Sequence, residues 1–244
     1  MSILPDQGST YASDIDWIIM TITYFVIAWF VVAVAALFYG IFANLKKEGG
    51  KAKYIPGIGW AQTKWIWIPV MLVTLNDFYI DIIVAKVWTK VNIAIPVEDK
   101  NSVHVKIVGR QFEWNAVYPG PDGKLGTSDD IESYGKPIVM PVNRNVIMNL
   151  SSADVLHGFF VREFRYKNDV IPGRIIKRWV QPTKEGTFDL VCVELCGGSH
   201  GAMRGEITVL SDVEYAKFSA NPESYLDTLP DIENKPFRNQ GGEE

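Results

Sequence analysis

The stretch Cys192-Val-Glu194-Leu-Cys196-Gly-Gly-Ser-His200-Gly-Ala-Met203 decides how this chain is read. It gathers two thiols, an imidazole and a thioether, and it holds both cysteines of the protein. Soft sulfur donors with imidazole suit copper rather than calcium, magnesium or manganese, because ligand softness and geometry govern which metal such a site retains. A mononuclear blue-copper centre uses one Cys, two His and a weak axial Met. The second thiolate here allows two bridging sulfurs, and so two metal ions.

A second imidazole must come from elsewhere, and the chain has three histidines: His104, His157 and His200. His157, in Ser152-Ala-Asp154-Val-Leu-His157-Gly-Phe, follows the apolar run Val146–Leu150 and is placed to meet the loop from a neighbouring strand. His104 sits in the alternating pattern Val103-His-Val-Lys-Ile-Val and reads as a partly buried strand residue. Two other readings compete. A disulfide is the commoner use of a cysteine pair in an exported domain, but it leaves His157, His200 and Met203 unexplained. Zinc also takes Cys and His, but it leaves Met203 without a role.

The pattern Cys-x-x-x-Cys-x-x-x-His-x-x-Met, preceded by Asp154-Val-Leu-His157, resembles the binuclear CuA site of subunit II of haem–copper respiratory oxidases. The likeness extends to Lys167-Asn-Asp169-Val-Ile-Pro172-Gly173 and to Trp65-x-x-x-Pro69, and covers roughly residues 15 to 220. This resemblance implies that Cys192 and Cys196 bridge two coppers and that His157 and His200 each bind one. Met203 and the Glu194 backbone carbonyl complete the implied set. It also implies that the Glu194 side chain helps hold magnesium or manganese at the interface with the catalytic subunit, and that no haem sits on this chain.

Composition divides the chain. From Trp17 to Leu45 there is no charged residue, a run of 29, against about 20 needed to cross a hydrocarbon core. A second apolar segment, Trp65 to about Trp88, carries Asn76, Asp77 and Asp81; carboxylates there are expected to face a partner or an aqueous path. The connecting loop, 46–64, has five lysines against one glutamate, whereas the N-terminal segment has Asp6, Asp14 and Asp16 and no basic residue. The positive-inside rule makes this loop cytoplasmic and puts both termini outside, on the periplasmic side of a bacterial inner membrane. Residues 1–16 lack a basic n-region, so the first helix is expected to act as its own signal. The expected division is an outer segment 1–16, a transmembrane helical hairpin 17–91, an outer domain 92–220 and a tail 221–244.

The outer part reads as short β-rich runs: Val103–Val108, Phe112–Tyr118, Pro137–Met140, Asn145–Leu150, Ile175–Val180, Thr187–Glu194 and Gly205–Leu210. Such spacing predicts an antiparallel sandwich or barrel, and the resemblance implies an all-β cupredoxin-like Greek-key sandwich with its ligands on loops at one end. Asp212–Ser219 reads as a short helix. The segment from Pro119 to Asp130 is glycine-spaced and oxygen-rich, but departs from the EF-hand pattern and reads as a solvated hairpin loop. Residues 92–244 hold 22 acidic and 17 basic residues. That balance argues against a nucleic-acid partner.

The resemblance implies an electron-transfer subunit of a terminal oxidase, taking electrons from a cytochrome c or a complex-bound cytochrome c domain. They would pass to haem in the catalytic subunit, where oxygen is reduced, among other oxidase subunits and membrane lipid. A CuA subunit of a nitric oxide reductase and a copper-free quinol-oxidase-type subunit are the alternatives, the latter recognised by missing ligands. Two positions depart from the family pattern. Gly109-Arg-Gln-Phe112-Glu-Trp114 has Phe112 where relatives have the Trp of electron entry, and Gln62 stands where many have a glutamate. Phe112 and Trp114, two apart in one expected strand and so on one face, are the candidates for electron entry. A donor held within a larger complex fits the missing Trp.

Overall fold

The computed structural model describes residues 4–43, 45, 50, 54–96 and 101–232. The chain divides into two compact units, Asp14–Thr89 and a β-rich unit formed by the residues up to Ser13 together with Lys90 onward.

Helices α1 (Ala12–Ala43) and α2 (Trp60–Trp88) are both long and apolar enough to cross a membrane. At 1.5 Å per residue, α1 spans about 48 Å. α2 begins five residues before the expected apolar segment and runs past Pro69 into a wider turn at Thr89–Ile93. Thr63, Thr74 and Thr89 each return a hydroxyl hydrogen to the carbonyl four residues back, so their polar groups are satisfied within the helix. A groove between the two helices is lined by Phe25 and Trp29 on one side and by Asn76, Asp77 and Ile80 on the other. Of the loop lysines that set the expected orientation, Lys46, Lys47, Lys51 and Lys53 lie outside the described residues.

The β-rich unit is a two-sheet sandwich. One sheet contains β1 (Val103–Arg110), β2 (Glu113–Tyr118), β3 (Ile131–Ser133), β5 (Val146–Ser152) and β8 (Ile176–Val180), in the order β3-β2-β1-β5-β8. The other contains β4 (Ile138–Pro141), β6 (His157–Val161), β7 (Tyr166–Val170), β9 (Gly186–Cys192) and β10 (Arg204–Leu210), in the order β4-β10-β9-β6-β7. The cupredoxin-like sandwich expectation holds, with one correction to the antiparallel reading: β1 with β5 and β4 with β10 run parallel. Chain excursions into the opposite sheet separate these partners, which lets them enter from the same end. Alternation on β1, where Val103, Val105 and Ile107 are buried, is the pattern that one covered face demands.

Strands β3, β6 and β7 are additions to the expected set. The Pro119–Asp130 segment joins the antiparallel pair β2 and β3, as a hairpin loop. Its carboxylates accept from its own backbone: Asp130 from Gly126 N–H at 2.7 Å and Asp122 from Lys124 N–H at 2.8 Å. Helix α3 (Asp212–Ala220) is capped by the Ser211 hydroxyl, which accepts from Glu214 N–H. The expected 221–244 tail is corrected in its first part: Pro222–Thr228 forms helix α4, capped by Asn221 with Pro222 in its first turn. Tyr225 of α4 packs edge-on to Phe218. Residues 233–244 lie outside the described residues.

The N-terminal residues belong to the sandwich. Ser9 bridges Pro182, and Gly8 N–H donates to Glu163 O at 2.8 Å. Tyr11, fully buried, sets its ring 5.5 Å from Trp179 and 6.5 Å from Tyr166.

Candidate metal centre

Strand β9 ends at Cys192, and the chain then loops through Cys196 and a short helical turn, His200–Ala202, before β10 starts at Arg204. This loop returns to the sheet where Cys192 N–H donates to Met203 O. β6 pairs with β9, placing Phe159 opposite Cys192, so His157 at the start of β6 lies beside the loop. Cys192, Cys196 and Met203 are buried, and His157 is fully so.

The donors fall into two sets. Cys192 Sγ is 3.9 Å from His157 Nδ1 and 3.2 Å from the Glu194 carbonyl oxygen. Cys196 Sγ is 3.6 Å from His200 Nδ1 and 3.7 Å from Met203 Sδ. The two sulfurs, both free thiols, stand 3.8 Å apart and join the sets. Among the described residues, the one group of His, Cys and carboxylate side chains that could hold a metal ion is His157, Cys192 and Cys196, whose donor atoms all lie within 4.8 Å of one another. His104, on β1, is half-buried and stands outside this cluster.

The arrangement fits a thiolate-bridged metal. Two donors held at about 2.3 Å from one ion at the tetrahedral angle are about 3.8 Å apart, which is the separation of these sulfurs. Burial, with the neighbouring Cys192 sulfur adding to it, pushes the Cys196 thiol up to about 11. A cation is what makes a thiolate stable in such a place.

Behind the donors, His157 Nε2–H donates to Asp154 Oδ1 at 2.8 Å, which leaves Nδ1 as the free nitrogen on the sulfur side. Burial acts to raise the Asp154 carboxyl, but the Gln111 N–H, the His157 ring and the Val155 N–H outweigh it and hold it below its usual range. Gly109 leaves the room His157 needs: a Cβ there would lie 3.0 Å from the imidazole and 3.1 Å from Trp114. Asp154 and Gln111 went without a role in the sequence reading, although both stand inside the quoted motifs. No spacing rule connects residue 111 to residue 196.

The electron-entry pair needs correction. Phe112 precedes β2, so the same-face rule for strand residues does not relate it to Trp114. Trp114 is only 1% exposed and lies edge-on to Phe159 in the core, with its ring centroid 6.0 Å from His157. It offers no surface to a donor. Phe112 is half-buried against the loop, 3.2 Å from where a Cβ on Gly197 would sit.

Glu194 turns its carboxylate away from the sulfurs to Lys167, 2.7 Å away, and Lys167 also reaches Asp169 at 3.2 Å. These partners, Glu194 first, hold the Lys167 ammonium above its ordinary range. The Lys-x-Asp motif thus clasps the side of the loop at Glu194.

Residues 103–210 match the family described as cytochrome c oxidase subunit II, periplasmic domain. The alternative cytochrome c oxidase subunit 2 of Bradyrhizobium diazoefficiens is 32% identical over 229 residues, covering 84% of this chain and 78% of that one. The cytochrome c oxidase subunit 2 of Alkalihalophilus pseudofirmus is 28% identical over 217 residues, covering 86% of this chain and 60% of that one. Among solved structures, the periplasmic domain of subunit II of cytochrome oxidase of Bradyrhizobium japonicum is 29% identical, with a TM-score of 0.46 over 55% of this chain and 99% of that one. The length and identity shared with the first of these relatives, on a chain that carries the family's loop, show that this protein belongs to the cytochrome c oxidase subunit II family.

Proposed function

We propose that this chain is the electron-entry subunit of a haem–copper oxidase, taking electrons from a cytochrome c-type donor at a binuclear copper centre. The catalytic subunit, where oxygen is reduced, would receive them. The observation that carries this reading is the pair of free sulfurs 3.8 Å apart, each beside its own imidazole. Cys192 and Cys196 would hold both ions, His157 and His200 one each, with Met203 and the Glu194 carbonyl as weaker donors. When bound, the copper pair supplies a one-electron carrier with its charge change spread over two ions.

The protein's part is position and surroundings. A ligand loop set on a two-sheet base changes shape little when charge changes, which keeps the reorganisation cost of electron transfer low. Asp154 fixes the tautomer and rotation of His157. Burial of Cys192, Cys196, Met203 and His157 excludes water from the sulfurs, and the packed Trp114 and Phe159 rings keep the floor apolar. The Glu194 carboxylate, which the resemblance implies helps hold magnesium or manganese at the interface with the catalytic subunit, pairs with Lys167 in this chain and would exchange that partner for the ion. No step of the proposed function runs through such an ion.

Two helices long and apolar enough to cross a membrane support a membrane-anchored chain, and the lysine bias of loop 46–64 supports a cytoplasmic loop with the sandwich outside. Metal analysis and EPR of the full chain, assembled in its native membrane, test the centre. Two coppers per chain with a mixed-valence spectrum are expected. One copper, or zinc alone, would refute it.

A further inference from the structure

Resting on the copper reading above, we propose that Gln111 is a positioning residue that ties the two ligand-bearing segments to one another. Its backbone N–H donates to Asp154 Oδ2 at 2.7 Å, and the other oxygen of that carboxylate receives His157 Nε2–H at 2.8 Å. Its side-chain amide Nε2 donates to the Cys196 carbonyl at 2.5 Å. One residue thus grips His157 through Asp154, on the Cys192 side, and the backbone of Cys196, on the other.

The loop needs this tether. Between Gly197 and Ala202 its backbone hydrogen bonds are local, with His200 N–H to Gly197 O, Ala202 N–H to Ser199 O and Met203 N–H to His200 O, and the loop rejoins the sheet only at Met203 O, which accepts from Cys192 N–H. The local bonds shape the turn without fixing it to the sheet. The Gln111 amide fixes the Cys196 carbonyl from outside the loop, and with it the Cα from which the sulfur projects. Gly197 completes the contact. Its φ of +138° suits glycine, and a Cβ there would lie 2.8 Å from Gln111 Nε2. The loop therefore approaches Gln111 as closely as a backbone without side chain can.

A shared electron demands two sulfurs equivalently placed toward both ions. If Cys196 drifts while Cys192 stays anchored in β9, the two ions become unlike, and spectrum and potential change before the metal is lost. Gln111 keeps its backbone N–H in any substitution except proline, so Gln111→Met removes only the Cys196 arm and leaves the Asp154 arm in place.

The test uses the full chain in its membrane, compared with the parent by copper content, EPR hyperfine pattern, reduction potential and rate of copper loss to a chelator. Gln111→Met should keep the β-sandwich circular dichroism, alter the hyperfine pattern and potential, and lose copper about 10- to 100-fold faster, the usual effect of removing an outer-sphere partner. Gly197→Ala, which pushes the same amide away, should give the same signature. Parent spectrum, potential and rate in both variants would overturn the proposal. A parent that itself binds one copper would overturn the binuclear reading instead, so the two failures are told apart.

Discussion

The Sγ atoms of Cys192 and Cys196 lie 3.8 Å apart, nearly twice the length of a disulfide bond and close enough to share an ion. Removing one sulfur should therefore act differently from removing the thioether beside it. Cys196→Ser should abolish the delocalised signal and bring copper below two per chain. Met203→Leu should keep both metals and shift the reduction potential, because a thioether is a weak ligand. Metal analysis and EPR on the two variants check this. Equal damage from both would contradict the assigned roles.

Asp154 is no ligand itself but, by accepting from His157 Nε2, decides which His157 nitrogen is free. Asp154→Asn should weaken copper retention by about 10- to 100-fold, read by chelator competition on the full chain. Asn can still accept a hydrogen bond from Nε2, so Asp154→Ala should be the more damaging of the two.

The N-terminal segment should matter to a domain that begins some ninety residues later. Tyr11→Ala empties a fully buried site between Tyr166 and Trp179, and loss of a large core aromatic costs about 3–5 kcal/mol. Tyr11→Phe removes only a hydroxyl whose partner, Trp179 O, is 3.4 Å away, and should cost under about 1 kcal/mol. Denaturant unfolding of the detergent-solubilised chain, followed by tryptophan fluorescence, would separate the two.

That docking also marks where sequence reading runs out. The loop from Cys192 to Met203 was legible because its residue types are rare and close together, so chemistry could be inferred without a fold. The contact of Ser9 Oγ with Phe164 O crosses 155 residues, and no periodicity announces it. Strand β7, Tyr-Lys-Asn-Asp-Val, is an edge strand buried only at its ends, so its middle reads as polar loop. A shared strand face makes Trp114 an electron-entry candidate with Phe112, but a tryptophan inside a sandwich is governed by what the other sheet leaves open for it, and here it is buried. Helix α4 carries its own signal, Asn221 followed by Pro222, in a stretch whose polar composition otherwise suggests a tail.

The hairpin orientation predicts labelling. A cysteine placed at 54, with the native pair protected, should react with an impermeant reagent only from the cytoplasmic face, and one at 122, in the β2–β3 loop, only from outside. Labelling of position 54 from outside would reverse the topology. Asp77, lining the groove beside Phe25 and Trp29, should resist labelling as a cysteine in the assembled complex and become reactive when the chain stands alone, since a carboxylate at that depth calls for a polar partner.

Electron entry is the last point on which residue and function can be matched. Phe112 packs against the Cys192–Met203 loop, 3.2 Å from where a Gly197 Cβ would lie, and stands half-buried at the position where the resemblance implies a tryptophan. An aromatic used to hold the loop in place offers little dedicated surface to a diffusing protein, whereas a donor fixed in a larger complex needs little. The rate with the native donor should therefore respond weakly to ionic strength, because salt screens the steering of a free, charged partner and leaves a bound one untouched. Phe112→Trp should change that rate by less than about threefold, which is below 1 kcal/mol of barrier. Turnover measured from low to high salt, with the native donor and with added soluble cytochrome c, checks both statements. A steep salt dependence together with a large gain in Phe112→Trp would show instead that a soluble donor docks on this residue.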